Sequence, residues 1–269
     1  MHIRTTAIRK PAVAGQFYPL DAQQLSQEVQ QLISRAKQYE LTPKALIVPH
    51  AGYIYSGAIA ATAYATLCSM ATIIKRVILL GPTHCVAVRG LALPDVGYLD
   101  TPLGTVKVDA EAVQAISDLT QVIMSTEAHA WEHSLEVQLP FLQHVLADFN
   151  VLPLAVGMAS AEEVAEVLDR VWGGDETLIV ISSDLSHYLP YVTAQQMDSA
   201  TVRSILQLEQ PIAHDHACGG TPISGLIVAA RKHYLKPQLL DLRNSGDTAG
   251  SREQVVGYAA IAFCQEEEV

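Results

Sequence analysis

Lys44-Ala45-Leu46-Ile47-Val48-Pro49-His50-Ala51-Gly52 is the stretch on which the fold turns. A short apolar run with β-branched members ends in a histidine; Gly52 and Gly57 follow, then an Ala-rich segment to Leu67. Strand, glycine loop and helix in that order make the first half of a βαβ unit. The grammar returns at Arg76-Val77-Ile78-Leu79-Leu80-Gly81-Pro82-Thr83-His84. It returns again at Leu178-Ile179-Val180-Ile181-Ser182-Ser183-Asp184-Leu185-Ser186-His187, ahead of a helical pattern over 193–208. Three apolar strands are therefore expected to finish in His50, His84 and His187.

Working outward, residues 151–156 and 255–263 read as further strands, and 135–148, 161–172 and 222–234 as helices. Residues 21–38 carry Leu25, Val29, Leu32, Ile33 and Ala36 on one helical stripe, with Asp21 as N-cap. Between His84 and Asp109 the helical pattern lapses around Gly97, Pro102 and Gly104, which predicts a β-rich insertion. No linker, repeat or low-complexity tract interrupts the chain apart from an acidic tail at 266–268. The expectation is one α/β domain over residues 1–269, three-layered, with a mixed, mostly parallel sheet and helices on both faces.

The composition sets the exclusions. Of 269 residues, 49% are hydrophobic and 17% charged, which excludes a disordered chain. The net charge of −11 and the lack of any Lys/Arg run longer than two argue against nucleic acid or anionic membranes as partners. No apolar run approaches the roughly 20 residues that span a bilayer. Residues 1–11 are basic without an apolar segment after them, so no secretory signal is read and the expected location is cytoplasmic. Cys68, Cys85, Cys218 and Cys264 include no C-x-x-C, so neither a disulfide framework nor a zinc knuckle is indicated.

Ligands of open α/β sheets bind outside the carboxyl ends of the strands, where His50, His84, Asp184 and His187 fall. Imidazole is the commonest ligand for Zn, Fe and Cu, and three strand-end histidines in one topological position make a metal site a stronger reading than three separate loop residues. Asp184 lies three residues before His187, a spacing that lets a carboxylate orient an imidazole, or simply cap the following helix. Cys218 precedes Gly219-Gly220-Thr221-Pro222, where a helix start would favour thiolate; it reads equally as a ligand, a nucleophile or a small residue at a tight turn. Glu127, His129, Glu132, His133 and Glu136 form a polar cluster without H-E-x-x-H spacing, read as pocket lining or as a solvated helix start. With no G-x-G-x-x-G, Walker A or G-x-S-x-G motif, no organic cofactor is expected.

Taken together, Pro49-His50-Ala51-Gly52-Tyr53-Ile54-Tyr55-Ser56-Gly57, Gly81-Pro82-Thr83-His84, Glu132-His133-Ser134-Leu135-Glu136, the segment from Ser182 to His187 and Cys218-Gly219-Gly220-Thr221-Pro222-Ile223 resemble the Memo family. Ala14-Gly15-Gln16-Phe17-Tyr18 and Gly257-Tyr258-Ala259-Ala260 extend the resemblance over nearly the whole chain, in the form of a prokaryotic member of the AmmeMemoRadiSam system, protein B type. The resemblance implies a fold related to class III extradiol dioxygenases of the LigB type. It implies one iron or copper ion per chain on His50, His84 and Cys218, with Cys218 standing where those enzymes carry a glutamate. His187 would be the acid/base, oriented by Asp184, with Phe17, Tyr53, Glu132 and His133 binding a small-molecule or peptide substrate. Phe17 stands where animal members carry tryptophan. A radical-SAM protein and an AMMECR-type protein are the implied partners. The rival readings are a metal-free hydrolase with Cys218, His187 and Asp184 as nucleophile, base and orienting group, and a peptide- or anion-binding module without turnover.

Overall fold

The computed structural model describes residues 3–265, so the acidic tail at 266–268 lies outside the described residues, as do residues 1–2. Its strands are β1 (Ile8–Arg9), β2 (Pro43–Val48), β3 (Arg76–Pro82), β4 (Leu91–Leu93), β5 (Tyr98–Thr101), β6 (Gly104–Val108), β7 (Val122–Met124), β8 (Asn150–Val156), β9 (Thr177–Ser182), β10 (Leu235–Asn244) and β11 (Gly257–Gln265). Its helices are α1 (Ala22–Arg35), α2 (Tyr53–Tyr64), α3 (Ala110–Ala115), α4 (Thr126–Ala130), α5 (Leu139–Val145), α6 (Ala161–Arg170), α7 (Tyr191–Leu206) and α8 (Gly220–Lys232).

All the strands join one sheet, ordered β1-β5-β6-β8-β3-β9-β2-β11-β10, with β4 on β8 and β7 on β4. The central run β6-β8-β3-β9-β2 is parallel throughout, while β11 and β10 close one side antiparallel. Val77, Ile78, Leu79 and Leu80 are wholly buried, as are the apolar residues of β2 and β9. Continuous apolar runs of this kind suit strands covered on both faces. Helices α1, α2 and α5 pack on one another, with α2 against β2, β10 and β11; α6 and α8 form a second packed pair, with α8 against β3 and β9. The sheet is thus mixed and mostly parallel with helices on both faces, as expected.

Asp21 caps helix α1, its carboxylate accepting the Gln24 N–H at 2.8 Å, and the helix buries Leu25, Val29 and Ile33. Two departures matter. Residues 135–148 form a short 3-10 turn, Glu136–Gln138, running into a shorter α5 whose first turn carries Pro140, a residue that suits a helix start and not a helix interior. Strand β10 escaped the sequence reading because it is an edge strand, with polar Lys236, Gln238, Asp241 and Arg243 interrupting its apolar pattern.

Strand register sets the site. Val48 of β2 pairs with Ser182 of β9, so His50 and Asp184 stand two residues beyond paired positions. Leu80 of β3 pairs with Ile181 on the other side of β9, bringing His84 to the same sheet end. Among the described residues no helix is long and apolar enough to cross a membrane.

Candidate metal centre

Three imidazoles meet at this end of the sheet. One ring nitrogen from each of His50, His84 and His133 lies within 4.8 Å of the others. His84 and His133 stack at 4.6 Å between ring centres, and His50 meets them edge-on at 5.2 and 5.4 Å. His133 arrives on the 132–135 loop, which packs so tightly on β3 that a Cβ at Gly81 would stand 2.7 Å from Ser134 Oγ. The Ser134 hydroxyl in turn donates to the Pro82 carbonyl at 2.9 Å.

The rings are oriented from behind. Glu132, 2% exposed, accepts the backbone N–H of His84 at 2.6 Å and those of His133 and Ser134 at 2.9 Å. Its Oε1 also lies 2.9 Å from His84 Nδ1. Burial opposes ionisation of Glu132, but the His84 ring and these N–H groups outweigh it and hold the carboxyl down at about 2. An ionised carboxylate only accepts, so His84 Nδ1 carries the hydrogen of this contact, the arrangement of a carboxylate-supported metal ligand. Glu132 was expected to bind substrate; its carboxylate is committed to this support.

His50, 2% exposed, has its Nδ1 2.9 Å from Ser182 Oγ. Burial, followed by the neighbouring His133 and His84, pushes His50 well below the ordinary imidazole range, and burial lowers His133 as well. Neutral imidazole is the ligating form.

Cys218 lies beside this group without joining its mutually close nitrogens. Its sulfur is 3.3 Å from His50 Nε2 and accepts the Asp184 N–H, also at 3.3 Å. The loop approaches β9 so closely that a Cβ at Gly219 would meet Ser183 Cβ at 2.6 Å. The thiolate expected at a helix start is not favoured in the metal-free chain: burial, then the Asp184 charge, pushes the Cys218 thiol up to about 12. The reason is position, since the sulfur is packed against the strand end rather than presented to solvent at the tip of α8.

Asp184 serves a different partner from the one expected. Its carboxyl accepts the N–H of His50 at 2.8 Å and that of Ala51, and it fixes the loop after β2 rather than the His187 ring. Burial pushes this carboxyl up to about 7. His187 instead hydrogen-bonds the Leu185 backbone, and burial lowers its pKa. A nucleophile–base contact between Cys218 and His187 is likewise not among the hydrogen bonds of the described residues; the sulfur's imidazole neighbour is His50.

A cleft of about 630 Å³ opens in front of the histidines, with Phe17, Asp184 and His187 in its wall. Phe17 packs 4.8 Å from His133. Tyr53, expected in the wall, is 4% exposed and donates its hydroxyl to the Val137 carbonyl at 2.7 Å; Tyr55 takes its place in the cleft. Tyr188 and Tyr258 also line it, as does the loop from Ser245 to Val256. Tyr188 is 69% exposed with φ +56°, a left-handed conformation uncommon for an aromatic residue that Leu208 and Tyr234 share outside the cleft.

The remaining polar cluster divides. His129 is buried with Nε2 2.8 Å from the Ala92 carbonyl. Glu136 takes the N–H groups of Ala12 and Val13 and the hydroxyl of Tyr18, tying down the segment that carries Phe17.

The model of the Memo-like protein family matches residues 9–262. This chain belongs to the Memo family. A MEMO1 family protein of Methanosarcina barkeri is 36% identical over 271 residues, covering 94% of this chain and 99% of its own. Its counterpart in Aquifex aeolicus is 35% identical, covering 95% and 99%. The crystal structure of an uncharacterized protein from Escherichia coli K12 superposes with a TM-score of 0.54 at 15% identity, covering 80% of this chain and 98% of that one, a likeness of fold alone. In this Memo-family chain His133, expected from the family motif to bind substrate, stands instead among the three close imidazoles; it sits on a loop rather than at a strand end, so the strand-to-histidine pattern did not include it.

Proposed function

We propose that His50, His84 and His133 hold one iron or copper ion and that the cleft before them supports redox chemistry on a small molecule, in the manner of the class III extradiol dioxygenases that the motifs resemble. The observation that carries this reading is the convergence of three imidazoles within 4.8 Å, the His84 ring backed by a buried carboxylate. An all-nitrogen set of neutral imidazoles fits Fe, Cu or Zn. Cys218 is the fourth donor: ligands bound to one ion at about 2.1 and 2.3 Å sit roughly 3–4 Å apart, and its sulfur is 3.3 Å from His50 Nε2. A soft thiolate favours copper and iron over harder ions. When bound, such an ion would supply Lewis acidity and electron transfer.

His187 and Asp184 would move protons on a bound substrate, a reading supported by their both lining the cleft. A carboxyl pushed up to about 7 exchanges protons near neutrality. Phe17, Tyr55 and Tyr258 give the substrate apolar walls.

Elemental analysis of protein purified without oxygen tests the ligand set. One iron or copper per chain is expected, lost in His50→Ala, His84→Ala and His133→Ala and weakened in Cys218→Ser. His187→Ala should keep its metal and lose oxygen consumption with a panel of catechol-like compounds by about 10²- to 10⁴-fold. Metal content unchanged in all three histidine variants overturns the centre; a loaded wild type inert on the panel overturns the dioxygenase-like chemistry.

A further inference from the structure

A chain of buried hydrogen bonds behind His50 runs in one direction only. Gln138, 1% exposed, lies with Nε2 2.9 Å from the Pro49 carbonyl and 2.8 Å from Ser182 Oγ. Its Oε1 accepts the Tyr64 hydroxyl at 2.9 Å. The Pro49 carbonyl can only accept, so the atom facing it is the amide nitrogen, and the two N–H groups of Gln138 are spent on Pro49 and Ser182. Ser182 has a single hydroxyl proton. Its oxygen lies 2.6 Å from the Ser134 carbonyl, a distance that requires a proton between the two oxygens. Ser182 therefore gives its proton to Ser134, and the remaining neighbour, His50 Nδ1 at 2.9 Å, can only be a donor.

We infer that Ser182, held by Gln138 and the Ser134 carbonyl, is a positioning residue that locks His50 in the Nδ1–H tautomer and so presents an unprotonated Nε2 to the cleft. The inference deepens the proposed metal centre and rests on it only for its consequence. The contact on the far side of the ring is compatible with it: the Cys218 sulfur lies 3.3 Å from Nε2 and 3.6 Å from the Asp184 carbonyl, and its one proton can serve either acceptor. His50 and His84 are both held at Nδ1, one by a neutral serine relay and the other by the Glu132 carboxylate, so Nε2 of each ring is the atom available to an ion.

The test is long-range ¹H–¹⁵N correlation on metal-free protein labelled at histidine nitrogen, at pH 7.5. His50 should show a pyrrole-like Nδ1 and a pyridine-like Nε2 in the wild type. Ser182→Ala should let the ring redistribute toward Nε2–H, and Ser182→Thr, which keeps the hydroxyl, should restore the wild-type pattern. Titration with Co(II) alone should show affinity reduced about 10- to 100-fold in Ser182→Ala and recovered in Ser182→Thr. A pyridine-like Nδ1 in the wild type overturns the inference without any variant having to fold. A redistributed tautomer with unchanged Co(II) affinity overturns the link to ligand presentation. Wild-type protein that takes up no Co(II) would instead sink the metal centre itself, while the nitrogen shifts still decide the tautomer.

Discussion

Replacing Glu132 by glutamine is the sharpest perturbation of the centre. The carboxylate accepts four N–H groups: Oε2 takes His84 N, and Oε1 takes His84 Nδ1, His133 N and Ser134 N. In Glu132→Gln the amide oxygen can serve the three donors at one end, but the NH₂ then faces the His84 N–H, donor against donor. A buried donor left unpaired costs roughly 1–3 kcal/mol, and the remaining bonds lose their charge assistance, which relief of the buried charge partly offsets. The same contacts, with the His84 ring, hold the Glu132 pKa down from 4.5 to about 2, a shift on the order of 3 kcal/mol in favour of the ionised form. A loss of about 2–4 kcal/mol at pH 7 is expected from urea unfolding of metal-free protein. Because the folded-state pKa is depressed, this contribution is complete above pH 4.5 and disappears as pH falls toward 2. The wild type should therefore lose its advantage over Glu132→Gln through that window. Metal affinity should drop about 10- to 100-fold alongside. Equal stability at pH 7, or a gap that does not narrow in acid, would refute the reasoning.

Three further outcomes follow from the geometry. Gly81→Ala should cost about 1–3 kcal/mol by urea unfolding and weaken metal binding, since its Cβ would press on Ser134 and Leu135 beneath the His133 loop; wild-type values for both would show that the loop yields freely. Tyr188→Gly should leave stability unchanged or raise it by up to about 1 kcal/mol, because glycine accepts φ +56° and the side chain is exposed; a marked drop in melting temperature would mean that the ring is held by packing. Asp184 has its pKa raised from 3.8 to about 7, so between those values the unfolded chain has given up a proton that the fold retains, and stability falls as pH rises. Asp184→Asn should remove that slope, so that its stability changes less with pH than the wild type's between 4 and 7; parallel stability curves from pH 4 to 7 would contradict the shift.

The sequence by itself determined the parallel heart of the sheet and the sheet end at which His50, His84 and Asp184 gather. Apolar runs of β-branched residues closed by Pro49-His50 and Pro82-Thr83-His84 are local signals, and a buried parallel strand has few other ways to look. The helical stripe of α1 and the Cys218-Gly219-Gly220 turn before α8 were legible for the same reason. Only the tertiary structure decided which group each polar atom serves. Asp184 is three residues from His187, yet the parallel register of β2 and β9 delivers the His50 N–H to it at 2.8 Å. Glu132 and His133 entered the centre because the 132–135 loop lies on Gly81. Tyr53 and Tyr55 are two residues apart on α2, but one turns inward to Val137 and the other faces the cleft. Hydrogen bonding falls off within a few tenths of an ångström, and partners separated by 48 to 168 positions are brought to that range by strand register and loop packing. Residue spacing along the chain does not encode those distances.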